Sequence, residues 1–208
     1  MPKEYEHAFF DFNKTDIISK IKSLKGKHKG TYLFKVQIFE HPLDTPGTYI
    51  RVRDEGFKTT LTYKYKGPKD VFSDEHEVNI DNYDTAVNIL LGVGCKKKYY
   101  YEKIREIWDV KNTEVVFDTN PGIYDRLEVE SKTKKEMTEM IKTFNLKIVD
   151  TTNRYTDKFG IIIPKTLDLT FNNVKKDLIK TVTKNKKEFI ELCDNQLSQY
   201  KKLMKSKK

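Results

Sequence analysis

Charged residues recur two apart along this chain, and each pair carries one sign: Glu4 and Glu6, Arg51 and Arg53, Lys64 and Lys66, Glu75 and Glu77, Lys103 and Arg105, Glu128 and Glu130. Apolar residues fill many of the gaps, as at Ile50 and Val52, Tyr63 and Tyr65, Leu127 and Val129. Side chains alternate across a strand, so residues i and i+2 project from one face. A solvated face explains any single strand of this kind. It explains the set less well, because soluble surfaces mix signs and like neighbours on a strand repel. If the strands close on themselves, the charged faces line a lumen and the apolar faces lie beneath helices. The lumen then needs mobile counter-charges. Lys and Arg hold phosphate oxygens by charge-assisted hydrogen bonds, and clustered carboxylates suit Mg²⁺ or Mn²⁺. Phosphoryl transfer asks mainly for positioning and electrostatic stabilisation, so no nucleophilic triad is expected.

The elements that must carry these residues read as follows. Strands are expected over 4–10, 31–40, 48–53, 58–66, 75–80, 97–110, 114–118 and 126–131, with turns at Asp44-Thr45-Pro46-Gly47, Asp54-Glu55-Gly56 and Gly67-Pro68. Helices are expected over 13–24 (Ile17, Ile18, Ile21 and Leu24 on one face, Asn13 as N-cap, Gly26 as stop), 82–91 and 133–144. Gly92 and Gly94 close the second helix rather than form a nucleotide loop. The tail over 172–205 reads as helical. Many strands with a few helices predict an α+β fold with a largely antiparallel sheet.

The net charge of +9 suggests nucleic acid until its location is considered. From Phe171 onward eleven Lys face four acids, so +7 of the excess sits in the tail. The first 170 residues are nearly balanced. A basic tail attracts phosphate polymers, but a solvated helix face is the simpler reading, and nucleic acid is not favoured as a partner. Cys95 and Cys193, far apart and in no metal-ligand spacing, read as free thiols of a reducing compartment. There is no apolar run of membrane-spanning length and no signal-peptide pattern, so a soluble, cytoplasmic protein without membrane contact is expected.

The order of these motifs resembles the CYTH superfamily, the triphosphate tunnel metalloenzymes, over roughly residues 4–160. Its opening ExExK strand is matched by Glu4-Tyr5-Glu6-His7-Ala8, its Arg-x-Arg strand by Arg51-Val52-Arg53, and its Leu-Thr-x-Lys strand by Leu61-Thr62-Tyr63-Lys64. The later segments are matched by Glu102-Lys103-Ile104-Arg105-Glu106-Ile107-Trp108, by Glu114 to Asp118, and by Leu127-Glu128-Val129-Glu130. The resemblance implies a closed eight-stranded antiparallel β-tunnel with helices packed outside. It implies that Glu4, Glu6, Asp118, Glu128 and Glu130 bind Mg²⁺ or Mn²⁺. It implies that Arg51, Arg53, Lys64, Lys66, Lys103 and Arg105 hold the phosphates of a triphosphate-containing small molecule. Lys66 and Glu77 share the inward faces; Tyr32 reads as a core aromatic, with a place near the site as the alternative. The chain departs from the family at Ala8, where the motif has Lys; alternation points the neighbouring His7 to the other face.

A tunnel domain over 1–163 and a Lys-rich helical extension over 164–208 are therefore expected. The function implied is hydrolysis of tripolyphosphate, a nucleoside triphosphate or thiamine triphosphate. A class IV adenylyl cyclase, or a non-catalytic module binding polyphosphate, nucleotide or RNA ends, would use the same residues. Trp108 is expected to pack beneath a helix, and His28, His41 and His76 show no ligand spacing.

Overall fold

The computed structural model describes residues 5–10, 12–41, 47–65, 74–148, 158–161 and 167–206. Eight strands form one antiparallel sheet: β1 (Tyr5–Phe9), β2 (Lys27–Glu40), β3 (Thr48–Asp54), β4 (Thr59–Tyr65), β5 (Asp74–Ile80), β6 (Lys96–Val110), β7 (Thr113–Thr119) and β8 (Arg126–Ser131). Their order across the sheet is β1-β8-β7-β6-β2-β3-β4-β5. The helices are α1 (Lys14–Ser23), α2 (Tyr83–Gly92), α3 (Lys134–Phe144), α4 (Val174–Leu178) and α5 (Lys186–Ser206).

The helices begin and end where local chemistry says they should. Asn13, Asn82 and Thr133 each accept a backbone N–H of the first turn, from Asp16, Thr85 and Glu136 respectively. Thr133 also donates its hydroxyl to Glu136 Oε2 at 2.7 Å, which ties the carboxylate to the cap. β2 starts four residues before the expected Thr31. The stretch Lys27–Gly30 has little strand propensity, yet it pairs with Ile107–Asp109 through a bulge at Gly30. Gly30 has φ +143°, and a Cβ there would run into the Tyr32 ring, so only glycine lets the strand continue.

Every described helix with strand contacts packs on the same side of the sheet. The Ile17 and Ile21 face of α1 and the Met140, Ile141 and Phe144 face of α3 cover Phe9, Trp108, Val110, Val115, Phe117, Leu127 and Val129. Trp108 thus packs as expected, with its indole N–H donating to Glu106. Ala86, Val87 and Leu90 of α2 cover Phe39, Val52 and Cys95. Leu33 and Ile104 meet Phe171 and the α5 residues Leu197, Tyr200 and Leu203. No described helix covers the other face, yet Val36, Thr60, Thr62, Val116 and Asp118 on it are all buried. The sheet therefore curls around that face and forms a tunnel. Among the described residues, β1 and β5 remain its edges in hydrogen-bonding terms.

The tail differs from one continuous helix. The backbone N–H groups of Thr183 and Lys184 both donate to the Phe159 carbonyl, and Asn185 turns left-handed at φ 48°. These bonds divert the chain between α4 and α5. Leu169 forms a parallel bridge with Tyr101, exchanging bonds with the Tyr100 carbonyl and the Glu102 N–H. The buried Gln196 on α5 reaches the β7–β8 loop, accepting from Gly122 N–H at 2.9 Å and donating to the Ile123 carbonyl at 2.6 Å. Gly122 has φ +66°, and a Cβ there would lie 2.6 Å from Val174. Among the described residues no helix is long and apolar enough to cross a membrane. Both cysteines are free and buried.

The tail thus braces the loop that connects Asp118 to Glu128. Gln196→Leu keeps approximate volume but leaves two buried backbone groups unpaired, at a cost of about 1–3 kcal/mol. Urea unfolding should show a lower midpoint with an unchanged slope. An unchanged midpoint would refute the bracing role.

Candidate functional site

Residues directly opposite in an antiparallel pair share a face, so the strand registers place the charged residues without ambiguity. Glu6 stands opposite Glu130, and Glu130 opposite Glu114. Ala8 stands opposite Glu128, which lies opposite Val116. Arg126 faces Asp118, Asp118 faces Arg105, and Arg105 faces Tyr32. Beyond β2, Val36 faces Arg53 and Ile38 faces Arg51; Arg51 faces Thr62, and Thr62 faces Glu77. Lys64 lies between Tyr49 and Glu75. Every sequence-predicted site residue that is described therefore falls on the helix-free face. Glu4 and Lys66 lie outside the described residues. His7 pairs with Val129 on the outer face and packs against Phe9, as its alternation predicted.

The inward charges form two clusters. In the first, Asp118 is fully buried and collects three cations. Lys103 Nζ reaches Oδ2 at 2.9 Å, Arg105 holds Oδ1 at 2.7 Å and Oδ2 at 2.6 Å, and Arg126 lies 3.4 Å from Oδ2. Arg105 also reaches Glu128 Oε2 at 2.6 Å, and Arg126 takes Glu128 Oε1 at 2.6 Å. Burial works against charge here, but Lys103 and Arg105 hold the Asp118 carboxyl well below the usual carboxylate range. Burial, only partly offset by Asp118, pushes Lys103 down to about 8. Arg105 is shifted upward despite its burial, because it bonds Asp118 and lies beside Glu128.

In the second cluster Glu75 and Glu77 of β5 neutralise the cations of β3 and β4. Arg51 reaches Glu75 at 3.1 Å and Glu77 at 3.3 Å, Arg53 reaches Glu77 at 3.3 Å, and Lys64 reaches Glu75 at 2.9 Å. The buried Glu55 binds Arg53 at 2.6 Å. Thr62 donates its hydroxyl to Glu77 at 2.9 Å. Burial costs Glu77 some acidity, but Thr62, Arg53 and Arg51 together keep it below its ordinary value. Burial and then the Arg51 charge pull Arg53 downward.

Phe34 joins the clusters. Its buried ring lies 5.9 Å from the Arg53 guanidinium, 5.5 Å from Lys103 Nζ and 5.4 Å from the Arg105 guanidinium. Three cations converging on one aromatic face gain cation–π attraction that offsets their mutual repulsion. Several polar atoms around them have no partner: the Nε–H of Arg51, Arg53 and Arg126 and the hydroxyl of Thr60 are buried and unbonded. Unmet N–H donors beside cations suit phosphate oxygens. Two cavities elsewhere, of about 540 and 370 Å³, lie on the outer face beside α2 and α5 and contain none of these charges.

The carboxylates offer a divalent ion an oxygen-only donor set. Glu6, Glu130 and Glu114 lie directly opposite one another on three neighbouring strands. That chemistry fits Mg²⁺ or Mn²⁺. Among the described residues no ready-made cluster of three such ligands is formed. Small hard cations commonly complete their shell with substrate phosphates, so an incomplete protein cluster is compatible with this use. Glu114, Arg126, Thr60 and Glu55 were not among the sequence-predicted residues. Glu114 and Arg126 could have been found by extending the two-residue alternation from Asp118 and Glu128. Glu55 could not, because it reaches Arg53 from a turn.

The match to known proteins agrees with this geometry. A solved protein of Pyrococcus horikoshii OT3 superposes with a TM-score of 0.59 at 25% identity, covering 70% of this chain and 92% of that one. A structure described as a putative adenylate cyclase from Vibrio parahaemolyticus superposes with a TM-score of 0.61 at 16% identity, covering 74% and 97%. Another putative adenylate cyclase, from Bacillus halodurans, gives a TM-score of 0.50 at 18% identity, covering 74% and 96%. No curated relative matches. The CYTH domain model matches residues 3–154, and with most of its length inside that match this chain belongs to the CYTH domain family.

Proposed function

We propose that this protein is a divalent-metal-dependent phosphohydrolase acting on a triphosphate substrate. The observation that carries the reading is the cation cluster around Phe34, on a face no described helix covers, with unbonded Nε–H donors on Arg53 and the neighbouring Arg51. A linear anion with several phosphates engages such a groove at more than one point. Arg51, Arg53 and Lys64 hold one end of the chain of phosphates, and Lys103 and Arg105 hold the other. Charge-assisted bonds from these groups stabilise the negative charge that builds on the phosphoryl oxygens as the bond to the leaving group breaks. Water then attacks the terminal phosphorus and a diphosphate leaves.

Glu6, Asp118, Glu128 and Glu130, with Glu4, are the residues assigned to the metal. A bound divalent ion would neutralise phosphate charge and help orient the reacting oxygens. The chain's own contribution is to bind and align the phosphates and to keep bulk water from the buried cations. This reading assigns the chemistry to residues 1–163 and a supporting role to 164–208.

Incubation with tripolyphosphate, ATP or thiamine triphosphate and Mg²⁺ or Mn²⁺ should release orthophosphate. Cyclic AMP and pyrophosphate from ATP would replace hydrolysis with cyclisation. Binding without any product would leave a capture module. Glu128→Ala should lower turnover by about 100-fold or more, the scale for losing one electrostatic group at a reacting centre. An unchanged rate would remove Glu128 from the site.

Glu77→Gln has a different expected signature. It removes the exposed carboxylate shared by Arg51 and Arg53, which costs the empty protein up to about 1 kcal/mol, since Glu75 and Glu55 remain. It also removes a competitor for the anion. The variant should melt earlier than the native protein and gain more thermal stability from added tripolyphosphate. A smaller gain than the native protein shows would refute the competition.

A further inference from the structure

The first cluster contains more positive than negative charge. Lys103, Arg105 and Arg126 serve two carboxylates, Asp118 and Glu128. Both oxygens of Glu128 are covered, Oε2 by Arg105 and Oε1 by Arg126, each at 2.6 Å. On β1 the residue opposite Glu128 is Ala8, whose methyl group offers the carboxylate nothing. A divalent ion approaching Glu128 or Asp118 therefore meets hydrogen-bonded oxygens and a surplus cation, and moving one cation away favours its binding.

The geometry decides which one leaves. The Lys103 side chain is 8% exposed and the Arg105 side chain 14%, whereas that of Arg126 is 34% exposed. Arg105 is tied by two bonds to Asp118 and one to Glu128, with its guanidinium near Phe34. Arg126 has one short contact to Glu128 and a long one of 3.4 Å to Asp118, and its Nε–H has no partner. It is the cation with least to lose by moving. It also shares the inward face with the phosphate-binding residues, two positions before Glu128.

We infer that Arg126 is an exchangeable counter-ion, holding Glu128 and Asp118 in the free protein and passing to phosphate oxygens when a triphosphate and a divalent ion load together. This rests on the triphosphate reading above. Metal and anion then favour each other's binding, because the anion takes Arg126 away from the carboxylates that the metal uses. Alone, the metal binds against Arg126, and the anion draws Arg126 off the carboxylates with no metal to replace it.

The test is Arg126→Gln, followed by two binding measurements that do not depend on turnover. Mn²⁺ binding to the protein without phosphate, read from the resonance signal of free Mn²⁺, should tighten roughly tenfold. Tripolyphosphate binding in the presence of a chelator, measured by calorimetry, should weaken roughly tenfold, the low end for one charge-assisted bond. General damage to the fold would weaken both. Arg126→Lys keeps the charge but cannot span two carboxylates, so it should retain tripolyphosphate and still bind Mn²⁺ more tightly than the native protein. Unchanged or weaker Mn²⁺ binding in both variants overturns the inference, as does unchanged tripolyphosphate binding in Arg126→Gln. If the native protein fails to bind tripolyphosphate both with a chelator and with Mn²⁺ present, the triphosphate reading fails. The Mn²⁺ measurement, which uses no phosphate, still decides the role of Arg126.

Discussion

Charge buried on a face without helices has to be balanced from within that face, and Asp118 is the centre of the balance. It is the most deeply buried of the inward acids, and Lys103, Arg105 and Arg126 all converge on it. Taking such groups out of water costs several kcal/mol per ion, and only good geometry with additional hydrogen bonds returns it. Asp118 meets that condition through three contacts shorter than 3 Å. The three strands it ties together, β6, β7 and β8, are the ones that hold the acidic and basic parts of the tunnel in contact.

The outer face makes this arrangement tolerable. The alternation that turns Arg105 and Lys103 inward also turns Ile104 outward, and Leu127 and Val129 face outward between Arg126, Glu128 and Glu130. A one-residue slip in register would exchange the two sets and bury charge beneath α1 and α3. The apolar clusters under the helices therefore specify the position of the charges. Through Gln196 and Gly122 the C-terminal helix extends that control to the loop between Asp118 and Arg126.

Much of this was legible in the sequence because a strand has a period of two. Arg51 with Arg53, Lys103 with Arg105, and Glu128 with Glu130 could be assigned to shared faces without knowing their neighbours, and the strand register agrees. The partners were not legible. That Glu128 meets Arg105, or that Arg51 meets Glu75, depends on pairing between strands about two dozen residues apart. Arg126 was overlooked because it breaks the like-charged pattern at 128 and 130. The break within the helical tail was not legible, because nothing local reveals that Thr183 and Lys184 will bond to the Phe159 carbonyl.

The two acidic groups at the sheet's opposite edges do different work. Those of β5 lie within about 3 Å of Arg51, Arg53 and Lys64 and cancel charge that would otherwise repel itself in an empty tunnel. Those of β1, β8 and β7 stand opposite one another at Glu6, Glu130 and Glu114, the side where the metal ligands are proposed. A phosphate oxygen that approaches the Nη ends of Arg51 and Arg53 must displace a carboxylate. Stability of the empty tunnel and affinity for an anion therefore pull in opposite directions. The buried Nε–H groups of Arg51 and Arg53, which no carboxylate reaches, are where an anion gains without first displacing anything.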